Sequence, residues 1–545
     1  MISTALANHL FLATAAPAGL RFGRALRRPR ETQLELLRGL LRRNEATWFG
    51  RKHGFRRMKS PRDFRTGVPI RDYEEYAPLI ERVGRGEEAV LTCDRVRFVE
   101  PSGGTTAGVK LIPYTRSLLA EFSAATSPWI FDLLSCRPRL RGGRAYWAVS
   151  PPARHPARTA GGIPVGLEHD SDYFPPVARW LLDRSLGVPR VVSRAPDVPT
   201  CRYLTLRSLL ATPDLTLISV WNPSFLSLLA EALDESFGAL LRDLEVGGLS
   251  VKVPDELRPA LLRALPAQPQ LAWELRRRFG QSPPEDLGAL WPRLTLVSCW
   301  ADGHAARALL GLRRRFPAVE VQAKGLLATE GVVSVPLTAA GASVAAVASH
   351  FLEFLGRDGE DGTYLVDELE VGRAYEVVLT TGGGLYRYRL KDLVRVEGWY
   401  YHAPLLSFVG RADHASDVAG EKLTAEYAER VIAAASAQTG VRPTFAMLAP
   451  SWGSPPHYRL YVEAGAESVC RLAAAVEALL LESHHYALCR SLGQLGPLRG
   501  VPVTAAERTY ERVCAARGQR TGALKPAALD PALDWEHEFG PSVRF

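Results

Sequence analysis

The pattern of hydrophobic and polar positions changes character along the chain. From Glu31 to Asn44, leucines recur at a spacing that places them on one face of a helix. Between residues 90 and 335, short apolar runs such as 215–221 and 294–300 alternate with helical patterns such as 224–237 and 256–278. Strands that alternate with helices are typical of an α/β domain whose sheets are largely parallel.

The pattern beyond Tyr364 predicts strands without intervening helices. These strand patterns lie at 364–367, 374–380, 385–390, 393–397 and 405–409. They predict a β-rich subdomain over about 360–410. Further patterns predict helices at 424–436 and 468–481, strands near 443–449 and 457–463, and a strand–helix pair at 500–517. The expected organisation is a large domain over 1–410 and a small, mobile α+β domain over 411–545.

Local signals also predict where individual helices begin. Thr115 has the side chain of a helix N-cap, and an apolar pattern follows it through Phe122 to Ser127. Asn222 and Pro223 stand directly before the helical pattern 224–237. Both signals rest on the ability of short polar side chains to accept from the first free N–H groups of a helix.

Length and composition limit the classes of protein. A chain of 545 residues exceeds the size at which one core keeps growing, so at least two domains are expected. The net charge of +9 suits nucleotide or carboxylate substrates, although a solvated basic surface explains most of it. No dense Lys/Arg tract is interleaved with aromatic residues, which argues against nucleic acid as a partner.

The cysteines and the N-terminus bear on the cellular compartment. The 7 cysteines are scattered and contain no Cys-x-x-Cys pair, which favours free thiols over disulfides or a zinc site. No apolar run approaches the roughly 20 residues that a membrane span needs. The first 30 residues are rich in arginine and contain no acid, as in a transit peptide or an ordinary helix. We favour the helix, and therefore a cytoplasmic protein.

One short segment combines glycines with hydroxyl side chains. Glycine allows the backbone to approach a ligand closely, and a loop of this composition can turn several N–H groups toward an anion. Lys110 adds a positive charge nearby. The alternative is an ordinary surface turn, and the segment lacks the Gly-Lys-Ser/Thr ending of a Walker loop. The candidate anion-binding residues are Ser102, Gly103, Gly104, Thr105 and Thr106.

Further motifs follow this glycine loop in a characteristic order. They lie at 324–331, 385–397, 408–413 and 518–526. Together they resemble the adenylate-forming superfamily of acyl-CoA synthetases, luciferases and adenylation domains. Upstream segments 47–55, 68–73 and 80–87 are more similar to one branch of it, the auxin-responsive-promoter (Gretchen Hagen) family of acyl-acid amido synthetases. The resemblance extends over roughly residues 44 to 526.

The resemblance implies an ATP- and Mg²⁺-dependent ligase. It would adenylate a carboxylic acid and then form an amide with an amino acid. Transfer to a thiol, as in acyl-CoA ligases, is the alternative enzyme, and an inactive scaffold of the same fold is the alternative outside catalysis. The sequence leaves the oligomeric state open, with a monomer as one option.

The resemblance also assigns roles around the phosphates. The glycine loop would hold the β- and γ-phosphates, although this chain has one serine before the first glycine where relatives usually have two. Glu330 would bind Mg²⁺, and Thr329 would contact the α-phosphate. Lys525, in the tail, would bridge carboxylate and α-phosphate, and Lys422 would act in a second domain orientation. The competing interpretations are a surface glutamate and a solvated lysine.

Other candidates concern the nucleoside and the acid. Asp392 would bind the ribose hydroxyls, unless it merely pairs with Arg389 or Lys391 on the strand surface. Phe408 would stack near the adenine, and Arg411 lies in the segment that resembles the family hinge. The candidate residues for the acid are Arg116, Trp129, Trp221 and Phe225, although such aromatic side chains are also common in cores.

Overall fold

The structure, a computed structural model, describes residues 3–102, 110–148, 157–166, 176–302, 305–356, 362–412, 415–516, 527–532 and 535–539. Its Cα atoms form two compact units. One comprises Met1–Pro101 and Leu111–Gly410, and the other Ser102–Lys110 and Arg411–Phe545. The second unit carries the chain's C-terminal α+β segment.

Helices cover most of the first 84 residues, and polar caps fix where they begin. They are α1 Thr4–Ala25, α2 Pro29–Asn44, α3 Trp48–His53, α4 Pro61–Gly67 and α5 Tyr73–Gly84. Ser3 caps α1 by accepting from the Leu6 N–H, and Ser60 forms a capping box with Asp63 at the start of α4. Helix α3 ends at Gly54, whose φ of 70° suits the left-handed position there.

A parallel sheet forms the centre of the α/β part of the first unit. Its strands are β3 Arg144–Trp147, β6 Leu215–Ser219, β7 Leu296–Cys299 and β8 Glu320–Ala323, in the spatial order β3-β6-β7-β8. All three neighbouring pairs are parallel. A second sheet has the order β2-β1-β5-β4, with β1 Val96–Ser102, β2 Lys110–Thr115, β4 Ala157–Arg158 and β5 Pro164–Val165.

Helices connect and cover these strands. They are α6 Arg116–Cys136, α7 Pro176–Ser185, α8 Val198–Leu210, α9 Pro223–Val246, α10 Arg258–Ala264, α11 Pro269–Phe279 and α12 Ala305–Arg315. The expected caps are present, since Thr115 accepts from the Leu118 N–H and Asn222 from the Ser224 N–H. The predicted helix 256–278 is two helices, because the chain leaves the helical conformation at Leu265 and Pro269 starts a new one.

The β-rich part of the first unit is one antiparallel sheet. Within the described residues its strands are β11 Ser334–Leu337, β12 Ala342–Ala345, β13 Phe351–Gly356, β14 Thr363–Tyr364, β15 Ala374–Thr380, β16 Tyr388–Tyr400 and β17 Ala403–Arg411. Their order is β11-β12-β17-β16-β15-β13-β14, and a hairpin of β9 Leu327–Ala328 and β10 Gly331–Val332 precedes them. The sheet therefore begins at Ser334, upstream of the expected boundary near 360.

The second unit packs helices on a small mixed sheet. Its elements are α13 Ala425–Thr439, β18 Ala446–Ser451, β19 His457–Val462, α14 Ala466–Leu480, α15 His484–Ser491, β20 Arg499–Pro502, α16 Ala506–Ala516 and α17 Trp535–Glu538. Strand β19 lies in the middle, antiparallel to β18 and parallel to β20.

The expected α/β class with a β-rich part and a C-terminal α+β segment is confirmed. A further detail was wrong, because the strands expected at 385–390 and 393–397 are a single strand, β16. All seven cysteines are free thiols. No helix in the described part of the chain combines the length and apolar character that crossing a membrane requires.

Candidate active site

The turn that carries Thr329 and Glu330 joins β9 to β10. The hairpin pairs Ala328 with Gly331, so Thr329 and Glu330, which lie between them, form the turn. Although a turn glutamate is usually solvated, Glu330 is only 4% exposed. The phenol of Tyr388, at the start of β16, donates to Glu330 Oε1 at 3.4 Å. The buried position contradicts the alternative interpretation of Glu330 as a surface residue.

The chain directly after the glycine loop lies against this turn. The Tyr114 hydroxyl, on β2, donates to the Thr329 carbonyl at 2.7 Å. The Leu111 N–H donates to Tyr73 Oη at 2.8 Å. Burial raises the pKa of Tyr73, and the nearby carboxylate of Glu330 raises it further. Two sequence motifs far apart in the chain therefore meet, while Gly103, Gly104, Thr105 and Thr106 lie outside the described residues and Ser102 is buried.

A histidine–glutamate pair supports the turn from within the core. His350 is fully buried, and its Nδ1 lies 2.8 Å from Glu121 Oε2. The Glu121 carboxylate also accepts from the Gly382 N–H at 2.9 Å. A Cβ added to Gly331, the residue after Glu330, would lie 2.9 Å from His350 Nε2. Only a glycine fits between the turn and this ring, so the imidazole fixes the depth at which Glu330 sits.

Asp392 lies in an irregular part of β16. The register pairs Val378 with Arg389 and Glu376 with Leu393, so one residue of β15 faces three residues of β16, 390–392. Lys391 has a φ of 66°, a left-handed conformation that is strained for a residue with a side chain. Bulges of this kind redirect side chains next to active sites. Asp392 itself is buried, at 5% exposure.

The two cations that could have explained Asp392 pair with other carboxylates. Arg389 Nε lies 2.7 Å from Glu376 Oε1, in a two-point contact. Lys391 Nζ lies 3.2 Å from Asp72 Oδ2. Each of the two cations therefore has a carboxylate partner of its own, Glu376 for Arg389 and Asp72 for Lys391.

Phe408 lies beside the segment that follows β7. Its ring centroid is 5.3 Å from that of Trp300, in an edge-to-face arrangement. The Phe408 N–H donates to Asp302 Oδ2 at 3.3 Å, and Trp300 Nε1 donates to the Asp302 carbonyl at 3.0 Å. Burial raises the pKa of Asp302. The structure thus places Phe408, the residue that the resemblance suggested for the adenine, against the segment that follows β7.

Two of the aromatic candidates surround a lysine that sequence reasoning passed over. Lys324 Nζ lies 4.6 Å from the ring centroid of Trp221, and 5.8 Å from those of Trp129 and Trp147. The ammonium also donates to Ser219 Oγ at 3.0 Å. Contacts of an ammonium with indole faces contribute about 0.5–2 kcal/mol each. The only sequence signal for Lys324 was its position at the head of the motif 324–331.

The other two candidates for the acid, Arg116 and Phe225, lie at the starts of two different helices. Arg116 is exposed at the first residue of α6, whereas Trp129 lies on the same helix 13 residues later. At 1.5 Å per residue the two are about 20 Å apart along the helix axis, too far for both to contact one carboxylate. Phe225, in the first turn of α9, packs half-buried against the core of the α/β part.

In the second unit, Lys422 follows a buried glutamate. Lys422 has a φ of 47°. The Glu421 carboxylate accepts from the Val418 and Ala419 N–H groups, each at 2.7 Å, and from the Tyr458 hydroxyl. Burial, together with the charge of Asp417, raises the pKa of Glu421 to about 7. Arg411 is half-buried at the end of β17, and Lys525 lies outside the described residues.

Comparisons with known proteins identify the family. The family model described as the GH3 family N-terminal domain matches residues 20–320, the GH3 central domain 343–411, and the GH3 C-terminal domain 426–529. Two relatives from Arabidopsis thaliana are named indole-3-acetic acid-amido synthetases GH3.10 and GH3.15. Each is 26% identical to this chain, over 487 and 481 residues, and the matches cover 80% of this chain and 80% and 78% of the relatives.

The fold agrees with this relationship. A solved GH3.15 acyl acid amido synthetase superposes with a TM-score of 0.65 over 97% of both chains, at 21% identity. A second GH3.15 structure, in complex with 2,4-DB, gives a TM-score of 0.67 over 97% of this chain and 96% of that chain, at 19% identity. The resemblance drawn from the motifs is confirmed. Because the N-terminal family model alone matches more than half of the sequence, the chain belongs to the GH3 family.

Proposed function

We propose that the chain is an ATP-dependent acyl acid amido synthetase that works in the cytoplasm. It activates a carboxylic acid as an acyl adenylate and transfers the acyl group to an amino acid. One observation carries the proposal. The buried carboxylate of Glu330 accepts from Tyr388, and a second buried carboxylate, Asp392, lies on the same strand as Tyr388. The chain that leaves the glycine loop lies beside them. The names of the relatives support the same reaction.

The first step joins the acid to AMP. An oxygen of the acid attacks the α-phosphorus, the bond from that phosphorus to the bridging oxygen breaks, and pyrophosphate leaves. The loop residues Ser102, Gly103, Gly104, Thr105 and Thr106 hold the departing phosphates through backbone N–H groups and hydroxyls. Thr329 donates its hydroxyl to the α-phosphate. The burial of the turn excludes water, which would otherwise hydrolyse the anhydride.

Glu330 is suited to hold Mg²⁺. This ion usually takes one or two protein carboxylates together with substrate phosphates, rather than a cage of side chains. A single buried carboxylate beside the phosphate loop has that character. Among the residues that the structure describes, no cluster of three or more His, Cys, Asp or Glu side chains competes for the role. Bound there, the ion would neutralise phosphate charge.

The nucleoside part of ATP is assigned to residues on two neighbouring strands, β16 and β17. Asp392 accepts from the ribose hydroxyls, for which a carboxylate is a natural two-oxygen acceptor. Phe408 lies on β17, the neighbour of β16 in the sheet, and with Trp300 it offers an aromatic surface for the adenine. The redirected backbone at Lys391 supports this assignment, because strain of that kind recurs at ligand sites.

The second step forms the amide. The amine nitrogen attacks the acyl carbon, the bond from that carbon to the phosphate oxygen breaks, and AMP leaves with its charge while the amine proton passes to solvent. We assign Lys525 to the first step and Lys422, with Arg411 at the hinge, to a second orientation of the 411–545 domain. Transfer to a thiol is the alternative for this step.

The proposal is tested by exchange of labelled pyrophosphate into ATP. The panel of acids is benzoate, phenylacetate, 4-phenylbutyrate, indole-3-acetate and octanoate. We expect at least one acid to drive exchange in the wild-type protein, and Glu330→Gln to reduce that exchange about 10²–10³-fold. Glu397→Gln, at the far end of β16, is the matched control and should exchange like wild type. Formation of ADP instead of exchange would refute the proposal.

A further inference from the structure

Lys324 and its three tryptophans lie at one edge of the parallel sheet. Trp147 and Ser219 are the last residues of β3 and β6, and Lys324 comes directly after the end of β8. In sheets of this type, ligands bind outside the carboxyl ends of the strands. Helix α6 adds Trp129, whose Nε1 donates to Gln322 Oε1 at 3.0 Å. Regular elements, rather than loops alone, therefore position the group.

Hydrogen bonds hold the buried side of the group together, whereas Trp221 is exposed on its other side. Gln322 Oε1 also accepts from the Ser298 hydroxyl at 3.3 Å, which ties β7 and β8 together beneath the rings. Lys324 is 8% exposed, whereas Trp221, the ring closest to its ammonium, is 45% exposed. A large aromatic side chain that is half in solvent, with a buried cation behind it, has the form of a pocket entrance.

We propose that Lys324 recognises the carboxylate of a substrate whose flat, apolar body packs against Trp221. The inference rests on the proposed function and names the substrate class of that same site. A buried ammonium is the complement of a carboxylate oxygen, and the indole faces favour an aromatic or other planar body. The lysine is a specificity-determining residue, because it takes part in none of the bonds that form or break in the two steps.

Two substrates of the proposed reaction bring a carboxylate. One is the acid that is adenylated, and the other is the amino acid that accepts the acyl group. The shared chemistry is a carboxylate beside an apolar body, and the two sources are separated by measuring each substrate on its own. The acid is measured by its dissociation constant in the absence of ATP, and the amino acid by its KM in the complete reaction.

The experiment uses the full chain and the acid of the panel that drives pyrophosphate exchange best, together with its uncharged primary amide. Binding is followed by tryptophan fluorescence, or by calorimetry if the acid itself absorbs. We expect wild type to bind the acid at least tenfold better than the amide. Lys324→Met should weaken the acid about tenfold to hundredfold and abolish that preference, with kcat and the KM for ATP within about threefold.

Trp221→Ala keeps the test decisive if Lys324→Met fails to fold, because the half-exposed ring contributes less to the core. It should weaken the acid and its amide alike, by about three- to tenfold. The matched control is Trp273→Ala, which removes another exposed indole with a cation, Arg277, 4.8 Å from its centroid. That variant should bind like wild type.

The outcomes separate the two sources and the two proposals. A raised KM for the amino acid with unchanged binding of the acid would place the acceptor's carboxylate at Lys324. Unchanged constants for both substrates in Lys324→Met and Trp221→Ala, with exchange intact, would overturn the inference and leave the proposed function standing. If none of the acids drove exchange in the wild-type protein, the proposed function would be refuted, and this inference with it.

Discussion

The Tyr388 hydroxyl donates to Glu330 Oε1, and Tyr388 stands four residues before Asp392 on the same strand. The carboxylate assigned to the phosphates and the carboxylate assigned to the ribose are thus positioned by one element of the antiparallel sheet. Between Tyr388 and Asp392, the backbone passes through the left-handed conformation at Lys391. The ion pair of Lys391 with Asp72 helps to hold this conformation. Changes at either carboxylate should therefore affect nucleotide binding and not only the chemical step.

Asp392→Ala should weaken ATP binding more than Asp392→Asn does. Both changes remove the charge, but the asparagine keeps one oxygen that accepts from a ribose hydroxyl. A lost charge-assisted hydrogen bond costs about 1.5–3 kcal/mol, or very roughly ten- to hundredfold in the dissociation constant for ATP. Calorimetric titration with ATP measures the effect, and Asp214→Asn, at the end of a surface ion pair, serves as the control. Wild-type affinity in both Asp392 variants would assign this residue a structural role.

Gly331→Ala should impair both stability and adenylation. The new methyl group would lie 2.9 Å from His350 Nε2 and 3.3 Å from Leu379 Cδ1, in a fully buried place. Overpacking of this kind costs about 1–3 kcal/mol, and relief by movement of the turn would displace Glu330. Denaturant unfolding and pyrophosphate exchange measure the two effects. The control is Gly39→Ala on α2, where a Cβ meets no heavy atom within 4 Å. Equal behaviour of the two variants would contradict the packing argument.

Lys525→Ala should slow the formation of the acyl adenylate far more than its use. A positioned cation at the developing charge is worth on the order of 3–4 kcal/mol, or 10²–10³ in rate. The second step, started from preformed acyl adenylate and an amino acid, should change little. Single-turnover measurements of the two half-reactions make the comparison. If both steps slowed equally, or neither slowed, Lys525 would not be the adenylation lysine.

The contribution of His457 to the stability of the second unit should fall in acid. Burial, together with Arg499 and Arg459, lowers the pKa of His457 to about 4 from its ordinary 6.5. The unfolded chain takes up the proton first, so this contribution is present above pH 6.5 and is lost as the pH falls toward 4. At pH 5 the loss amounts to about 2 kcal/mol.

A variant isolates this contribution from that of Glu421, which has the opposite sign. The raised pKa of Glu421, about 7 instead of 4.5, makes the folded state more stable as the pH falls through the range between these values. His457→Leu removes only the histidine contribution. Its free energy of unfolding, relative to wild type, should rise by about 2 kcal/mol between pH 7 and pH 5. A difference that is the same at both pH values would contradict this account.

The features that the sequence predicted well are those set by local chemistry. Thr115 caps α6, and Asn222 precedes Pro223 at the start of α9, because a cap depends only on the residues of the first helical turn. The motif around Glu330 and the family resemblance are also local patterns. The division of β16 into two strands was wrong because the sequence around Asp392 reads as a break. In the structure a bulge continues the same ladder across it.

The group around Lys324 could not be predicted from a local pattern. Its members come from α6, β3, the residue pair after β6, and the end of β8, and nearly two hundred positions separate Trp129 from Lys324. Their meeting depends on the strand order of the parallel sheet. The separation of Arg116 and Trp129 was missed for a different reason. The predicted helix ended at Ser127, whereas α6 continues to Cys136 and carries both residues.

The most direct test of the central claim is the identification of the products. The full chain is incubated with ATP, Mg²⁺, the acid panel and a mixture of the amino acids, and the products are analysed by mass spectrometry. A parallel reaction contains coenzyme A instead of the amino acids. The account predicts AMP, pyrophosphate and one or more acyl–amino acid amides, in amounts equal to the AMP released. Detection of ADP, or of an acyl thioester with coenzyme A and no amide with any amino acid, would contradict it.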